Sequence, residues 1–307
     1  MVLTERDLEL LYAVGRMRAA ITSQLCVYFG DRSVASRRLR ALFAAKLLHV
    51  TVPALNGENV YVLTKRGGDA LLDAGFETAD LHVGPPPSRD ADLRHLLEIN
   101  WVRVAVLRAV KRMGSATVTL FRADLDLRRA LGVGRATILP DALVEVVVPA
   151  GPIRLVVEVD LGTETGRVLA AKAAAIRDIL IQGAPCYDLA APWTPLLLAP
   201  SERRLQSLAV ALHGLLPDRW RAGTLDLLRG DDLLTAPLRS LQDVGRRIHA
   251  GRPLLPQLLP LPPAPAARAA TRTGSAFRST ASNGGSSAPL DFVQEGSAGL
   301  VAGGEDG

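Results

Sequence analysis

Apolar and polar positions along the first seventy residues alternate at helical spacing, then at strand spacing, then at helical spacing again. Residues Leu3 to Met17 place Leu8, Leu11, Tyr12 and Val14 on one face, with Thr4 as N-cap and Glu5 and Asp7 in the first turn, where the macrodipole favours acids. A short helix is predicted over Thr22–Phe29, ended by Gly30-Asp31. A third, from about Ser33 to Leu48, turns Val34, Leu39, Leu42, Phe43 and Leu47 inward. Two short strands follow, His49–Val52 and Val60–Leu63, joined through Asn56-Gly57, a pair that favours the positive φ of a hairpin turn. Thr64 then caps a helix from Lys65 to Leu72.

Beyond residue 73 the pattern changes. Gly84-Pro85-Pro86-Pro87-Ser88 has no periodic apolar face and reads as a stiff connector, so residues 77–91 are expected to be a linker. A long helix is predicted from Asp92 to about Met113, with Leu93, Leu96, Leu97, Asn100, Val104 and Leu107 near one face. His95 and Glu98, one turn apart, read as local hydrogen-bonding partners, because no second His or acid stands at metal-ligand spacing. Thr117–Phe121 is strand-like, and an Arg-rich polar segment, Arg122–Arg135, follows it. Two β-branched runs, Ala142–Val148 and Ile153–Val159, are joined by Pro-Ala-Gly-Pro, the pattern of a hairpin with at least one buried strand. Thr163 or Thr165 would cap the next helix, which carries Lys172. Pro195–Ala199 reads as a strand, Ser201–Leu215 as a helix, and 216–250 as one or two further helices. From Gly251 the chain turns to Pro, Ala, Gly and Ser, too poor in buriable surface to offset its ordering entropy; a disordered tail, 251–307, is expected. The fold class predicted is α+β/α/β: an N-terminal winged helix-turn-helix over 1–76, a nuclease-like α/β part over 92–215, and a helical extension over 216–250.

Composition narrows the partners. The 307 residues carry a net charge of +5, and only 4% are aromatic, which argues against broad stacking platforms for single-stranded bases. Cys26 and Cys186 are far apart with no paired spacing, so neither a zinc site nor a disulfide framework is implied. No run reaches the length of a membrane span, and acids lie too early for a signal peptide, so a cytoplasmic protein with no membrane partner is expected.

Charge placement is more telling than its total. No acid occurs between Asp31 and Glu58, while the third helix and its flanks carry Arg32, Ser33, Ser36, Arg37, Arg38, Arg40 and Lys46. Helix, helix, helix, hairpin, helix is the order of a winged helix-turn-helix, whose third helix enters the major groove. Those residues, with Lys65 and Arg66 beside the hairpin, are therefore the candidate contacts to double-stranded DNA. This region resembles the winged helix-turn-helix domains of MarR-like regulators, notably in Leu63-Thr64-Lys65-Arg66-Gly67 after the hairpin.

Three acids punctuate the later hairpin: Asp141 before its first strand, Glu158 and Asp160 at the end of its second. Strand alternation sends Glu158 and Asp160 to the same side, with Asp141 able to face them. Such acids are either cap-and-turn chemistry or a metal site. Pro140-Asp141, a hairpin and Glu158-x-Asp160 resemble the PD-(D/E)xK nuclease motif, in which two carboxylates converge on Mg²⁺ and a lysine steadies the attacking water. That resemblance implies Mg²⁺ as cofactor, Asp141 and Glu158 as metal ligands, and Asp141, Glu158, Asp160 and Lys172 as catalytic residues. Asp160 stands where the motif has its lysine, and Lys172, on the following helix, is the candidate replacement.

Together, the winged helix, His95-Leu96-Leu97-Glu98-Ile99-Asn100 and Pro140-Asp141…Glu158-Val159-Asp160-Leu161-Gly162-Thr163-Glu164…Lys172 resemble the replication-relaxation family, encoded on bacterial plasmids and other mobile elements, over roughly residues 3–215. The resemblance implies a DNA-binding protein of plasmid replication or relaxation of supercoiled DNA. Proteins of plasmid replication or mobilisation, and a second copy of the chain, are the further partners it suggests. Two other readings stay open: a Mg²⁺-dependent nuclease or nicking enzyme, and a transcriptional regulator whose nuclease-like part has lost catalysis.

Overall fold

The structure, a computed structural model, describes residues 2–51, 58–130, 132, 139–162, 167–168, 170–174, 193–212, 220–230 and 233–246. They belong to one compact unit, Met1–Leu258. The expected tail, the turn at Asn56-Gly57, Cys186 and the caps expected at Thr163 and Thr165 lie outside the described residues.

The first helix, α1 (Glu5–Met17), starts at the Thr4 cap: the Asp7 amide donates to Thr4 Oγ1, and the Thr4 amide donates to Asp7 Oδ2. A strand of two residues, β1 (Ala20–Ile21), comes next, too short to leave a periodic signal in the sequence. The predicted second helix is split into α2 (Thr22–Leu25) and a 3₁₀ turn, Cys26–Tyr28. Asp31 caps α3 (Arg32–Ala44) by accepting from the Ser33 and Val34 amides. Strands β2 (Leu48–Thr51) and β3 (Val60–Leu63) follow, then α4 (Lys65–Asp73). The strands form an antiparallel sheet in the order β1-β3-β2. One prediction fails in α3. Phe43 is 48% exposed, because it shares the outward stripe of Ser36 and Arg40 instead of the buried stripe of Ala35, Leu39 and Leu42.

The second half is a mixed sheet of six strands in the order β4-β5-β6-β7-β8-β9. Its members are β4 (Thr117–Ala123), β5 (Ala142–Val148), β6 (Gly151–Val159), β7 (Thr194–Ala199), β8 (Arg221–Thr224) and β9 (Arg239–Ser240). β6-β7 and β7-β8 pair in parallel and the other neighbours are antiparallel. The helices are α5 (Asp90–Met113), α6 (Asp124–Ala130), a stretch at 170–174 (α7), α8 (Glu202–Ala211), α9 (Leu225–Gly230) and α10 (Leu241–Gly245). Leu143, Val156, Leu197 and Ala199 of the sheet form one core with Leu127 of α6, Ala173 of α7, Leu205 and Leu208 of α8 and Val244 of α10. Alternation turns Val144, Leu155, Val157, Leu196 and Leu198 to the other face, where they are fully buried and α5 meets β4 and β6.

Two segments depart from the sequence reading. The Arg-rich segment after β4 contains α6. Residues 216–250, expected to be helical only, add β8 and β9 as well as α9 and α10. β8 reads Arg-Ala-Gly-Thr and lacks the β-branched signature of a strand, because a side chain has no room there. A Cβ on Gly223 would lie 2.7 Å from Leu238 Cδ2 and 3.2 Å from Leu227 Cδ1.

The stretch between α4 and α5 takes part in the packing. Asp80 accepts from Arg16 at 3.1 Å and from Arg122 at 2.8 Å. α5 touches both sheets: Leu93, Leu96 and Leu97 share a core with Ala19, Val60 and Val62. Asn100 donates to the carbonyls of Met17 at 3.1 Å and Ala19 at 2.7 Å, and Gln24 donates to the carbonyl of Leu97 at 2.7 Å. The buried amides of Asn100 and Gln24 thus find partners across the chain, as burial requires.

Candidate functional site

The acids of the second hairpin sit where β5 begins and β6 ends. Ala142 pairs with Val157 in the antiparallel register, which brings Asp141 level with Glu158. The Asp141 amide donates to the Val157 carbonyl at 3.0 Å, and Asp141 Oδ2 accepts from the Val159 amide at 2.7 Å. Backbone pairing therefore fixes the carboxylate at the head of the strand. Glu158 lies in the same stripe of β6 as Val156, facing α7 and α8, and is 1% exposed.

Lys172 comes to these acids from α7. Its ammonium donates to Glu158 Oε1 and stands 3.8 Å from Asp141 Oδ1. Ala173 beside it is buried in the core with Val156 of β6 and Leu197 of β7, which holds this part of α7 against the sheet. Asp141, Glu158 and Lys172 thus converge from three elements.

Asp160 shares the stripe of Glu158 but is held elsewhere. Arg204 of α8 grips it with both prongs, Nε to Oδ2 at 2.7 Å and Nη2 to Oδ1 at 2.9 Å, and the Gly162 amide donates to Oδ2 at 3.0 Å. A bidentate arginine matches carboxylate geometry and fully engages it. Asp160 therefore ties the end of β6 to α8 and is not drawn toward Lys172.

His95 and Glu98 are not partners of each other. His95 Nε2 lies 3.0 Å from Asp141 Oδ1, and Glu98 accepts from Arg229 Nη2 at 2.6 Å. The first turns of α5 carry His95 to the end of the sheet, while Glu98 turns to α9. Burial pushes the Glu98 carboxyl up, and Arg229 only partly opposes it. His95 and Arg204 were missed as members of the site because their partners lie 46 and 44 residues away, and no local pattern marks such pairs.

Burial by itself would raise Asp141. The His95 hydrogen bond, the charges of His95 and Lys172 and the Val159 amide outweigh it, holding the carboxyl below its ordinary 3.8. Asp141 is thus kept ionised. With Glu158 it presents two hard oxygen donors, and Mg²⁺ takes one or two carboxylates plus waters and phosphate oxygens. These are the residues that would hold Mg²⁺, which would supply an activated water and charge neutralisation at phosphorus. Among the described residues no group of three or more His, Cys, Asp or Glu is arranged around a metal position. The Lys172 ammonium supplies positive charge to both carboxylates.

The N-terminal candidates divide into two groups. Arg37, Arg40, Lys46, Lys65 and Arg66 are exposed, and Arg40 Nε donates to the Ser36 carbonyl at 3.3 Å. Arg38 turns inward onto Asp7, Arg32 is paired with Glu58, and the Ser33 hydroxyl and amide are used in the Asp31 cap. No helix among the described residues is long and apolar enough to cross a membrane.

Comparison with curated proteins finds no match. Among solved structures, the restriction endonuclease FokI is 12% identical at a TM-score of 0.29, covering 80% of this chain and 46% of the endonuclease. FokI bound to DNA is 10% identical at 0.28, covering 82% and 49%. The chain spans about half the length of these structures, and a likeness this slight fixes neither fold nor activity. The sequence match is more definite: residues 8–186, more than half of the chain, fit the replication-relaxation family, and the chain belongs to that family.

Proposed function

We propose that this chain is a DNA-binding protein of bacterial plasmid or mobile-element replication and DNA relaxation, with residues 5–73 serving as a winged helix-turn-helix on duplex DNA. The observation that carries this reading is the outward face of α3, where Arg37 and Arg40 are exposed and Lys46 continues the basic surface. The order helix, strand, helix, helix, strand, strand, helix around an antiparallel β1-β3-β2 sheet supports it, being compatible with a winged helix-turn-helix in which α3 would enter the groove and β2 and β3 would form the wing. Lys65 and Arg66 extend the basic surface beside the wing. The test is duplex binding across a salt series. Arg37→Ala with Arg40→Ala removes two phosphate contacts and should lower the slope of log affinity against log salt by about 1.8, at roughly 0.9 per contact. An unchanged slope and affinity would sink the assignment.

One observation favours a second reading, a nuclease or nicking enzyme of the PD-(D/E)xK type: Lys172 lies against both Glu158 and Asp141. On this reading Lys172 replaces the lysine whose place Asp160 takes, and Asp141 and Glu158 bind Mg²⁺. Supercoiled plasmid incubated with Mg²⁺ should become nicked or linear, and Asp141→Ala with Glu158→Ala should abolish this. Duplex binding without cleavage in Mg²⁺ or Mn²⁺ would leave the DNA-binding reading standing.

A further inference from the structure

A cleft of about 620 Å³ opens at the end of the sheet beside Asp141 and His95. Arg18, Arg94 and Arg128 enter it from the end of α1, the first turns of α5, and α6, while Leu139 and Leu161 give it apolar walls. The opposing acids are Asp90 and Asp92, both exposed in the first turn of α5, and Asp141, which is matched by His95 and Lys172.

A cleft of this volume suits a ligand of nucleotide size and is far too small for a duplex. Proteins that act on one strand draw a nucleotide out of the stack, hold it between apolar walls and grip its phosphates with arginine. The geometry points to this cleft as the seat of a nucleotide from a single DNA strand. Its phosphates lie on Arg18, Arg94 and Arg128, its base against Leu139 and Leu161, and its phosphodiester beside Asp141. This assignment rests on the DNA-binding reading and adds a contact separate from α3.

The test measures the full chain against a fluorescein-labelled single-stranded oligodeoxynucleotide and, in parallel, a duplex of the same sequence. Arg94→Glu with Arg128→Glu should weaken single-strand binding at least tenfold and leave duplex affinity within about twofold. Two lost phosphate contacts should also lower the single-strand salt slope by about 1.4, at roughly 0.7 per contact, and Arg94→Lys with Arg128→Lys should restore it. Single-strand affinity unchanged in the glutamate variant overturns the assignment. So does an equal loss on both DNAs that the lysine variant shares, since that marks a damaged fold or a diffuse field. A wild-type chain that binds duplex but not the single strand overturns it while leaving the α3 reading intact. If neither DNA binds, both fall together.

Discussion

Arg38 closes a two-pronged ion pair on Asp7, with Nε donating to Oδ1 at 2.7 Å and Nη2 to Oδ2. The same aspartate closes the Thr4 capping box, so a single buried carboxylate both fixes the start of α1 and ties α3 to it.

That pairing separates two neighbours that the sequence groups together. Arg38→Ala strands a carboxylate that is 1% exposed, and should cost about 1–3 kcal/mol of stability with little effect on the salt slope of duplex binding. Arg37→Ala, on the exposed side, should leave stability within about 0.5 kcal/mol and lower the salt slope. Urea unfolding followed by tryptophan fluorescence, alongside the binding series, distinguishes them. A stable Arg38→Ala variant would show that the ion pair does not hold α3 in solution.

Gly67 stands where α4 passes the turn after α3. Its amide donates to Thr64 Oγ1, whose single proton is shared between the Lys46 and Leu47 carbonyls at 2.8 and 2.9 Å. A Cβ on Gly67 would lie 2.3 Å from the Leu47 carbonyl oxygen and 2.6 Å from Leu63 Cδ1. The obstacle is backbone and cannot rotate away. Gly67→Ala should therefore destabilise by about 1–3 kcal/mol despite the better helix propensity of alanine. Gly68→Ala is the control: its nearest neighbour is a side-chain methyl of Val83 at 3.1 Å. Equal urea midpoints for the two variants would refute the close-approach account.

The contrast between these residues also shows what the sequence could disclose. Thr4 and Thr64 act through neighbours three residues away, and their caps are legible from local pattern. The hairpin acids are legible for the same reason, since alternation along β6 sets Glu158 and Asp160 on one face. Long-range partners are not. Nothing near Asp160 marks Arg204 as its ion-pair partner, and nothing near His95 marks Asp141. β8 was hard to read because close packing against Leu238 selects a glycine, a poor strand former, in the middle of a four-residue strand. The proline-rich stretch before α5 gave no sign that Asp80 would join Arg16 to Arg122.

Asp141 should leave a signature in acid. Its carboxyl is held below 3.8 in the folded protein, so it binds a proton more weakly there than in the unfolded chain. The resulting stabilisation is fully present above the unfolded value and is lost as pH falls through the lower folded value. The difference in unfolding free energy between wild type and Asp141→Asn should therefore narrow as pH is lowered from about 5 to about 3. Urea midpoints at half-unit intervals give the comparison. A difference that widens toward acid would mean that burial, and not the His95 and Lys172 partners, controls this carboxyl.

Lys172 and Glu158 allow structure and chemistry to be told apart at one site. Glu158 is 1% exposed and Lys172 16%, so removing the ammonium leaves a carboxylate with no solvent to accept its charge. Lys172→Met should cost about 3–5 kcal/mol, as expected for breaking a buried pair from one side. Adding Glu158→Gln removes the buried charge as well, and the double variant should recover most of that loss, because buried pairs exchanged for neutral groups are often close to neutral in stability. The recovered protein then gives the informative measurement. If Lys172 and Glu158 serve only to neutralise each other, the double variant should treat supercoiled plasmid as wild type does. If Asp141, Glu158 and Lys172 act on phosphodiesters, it should bind duplex with wild-type affinity through α3 and leave the plasmid intact. Duplex affinity lost together with cleavage would show instead that the fold had not recovered, and calorimetric melting of the same sample decides that case.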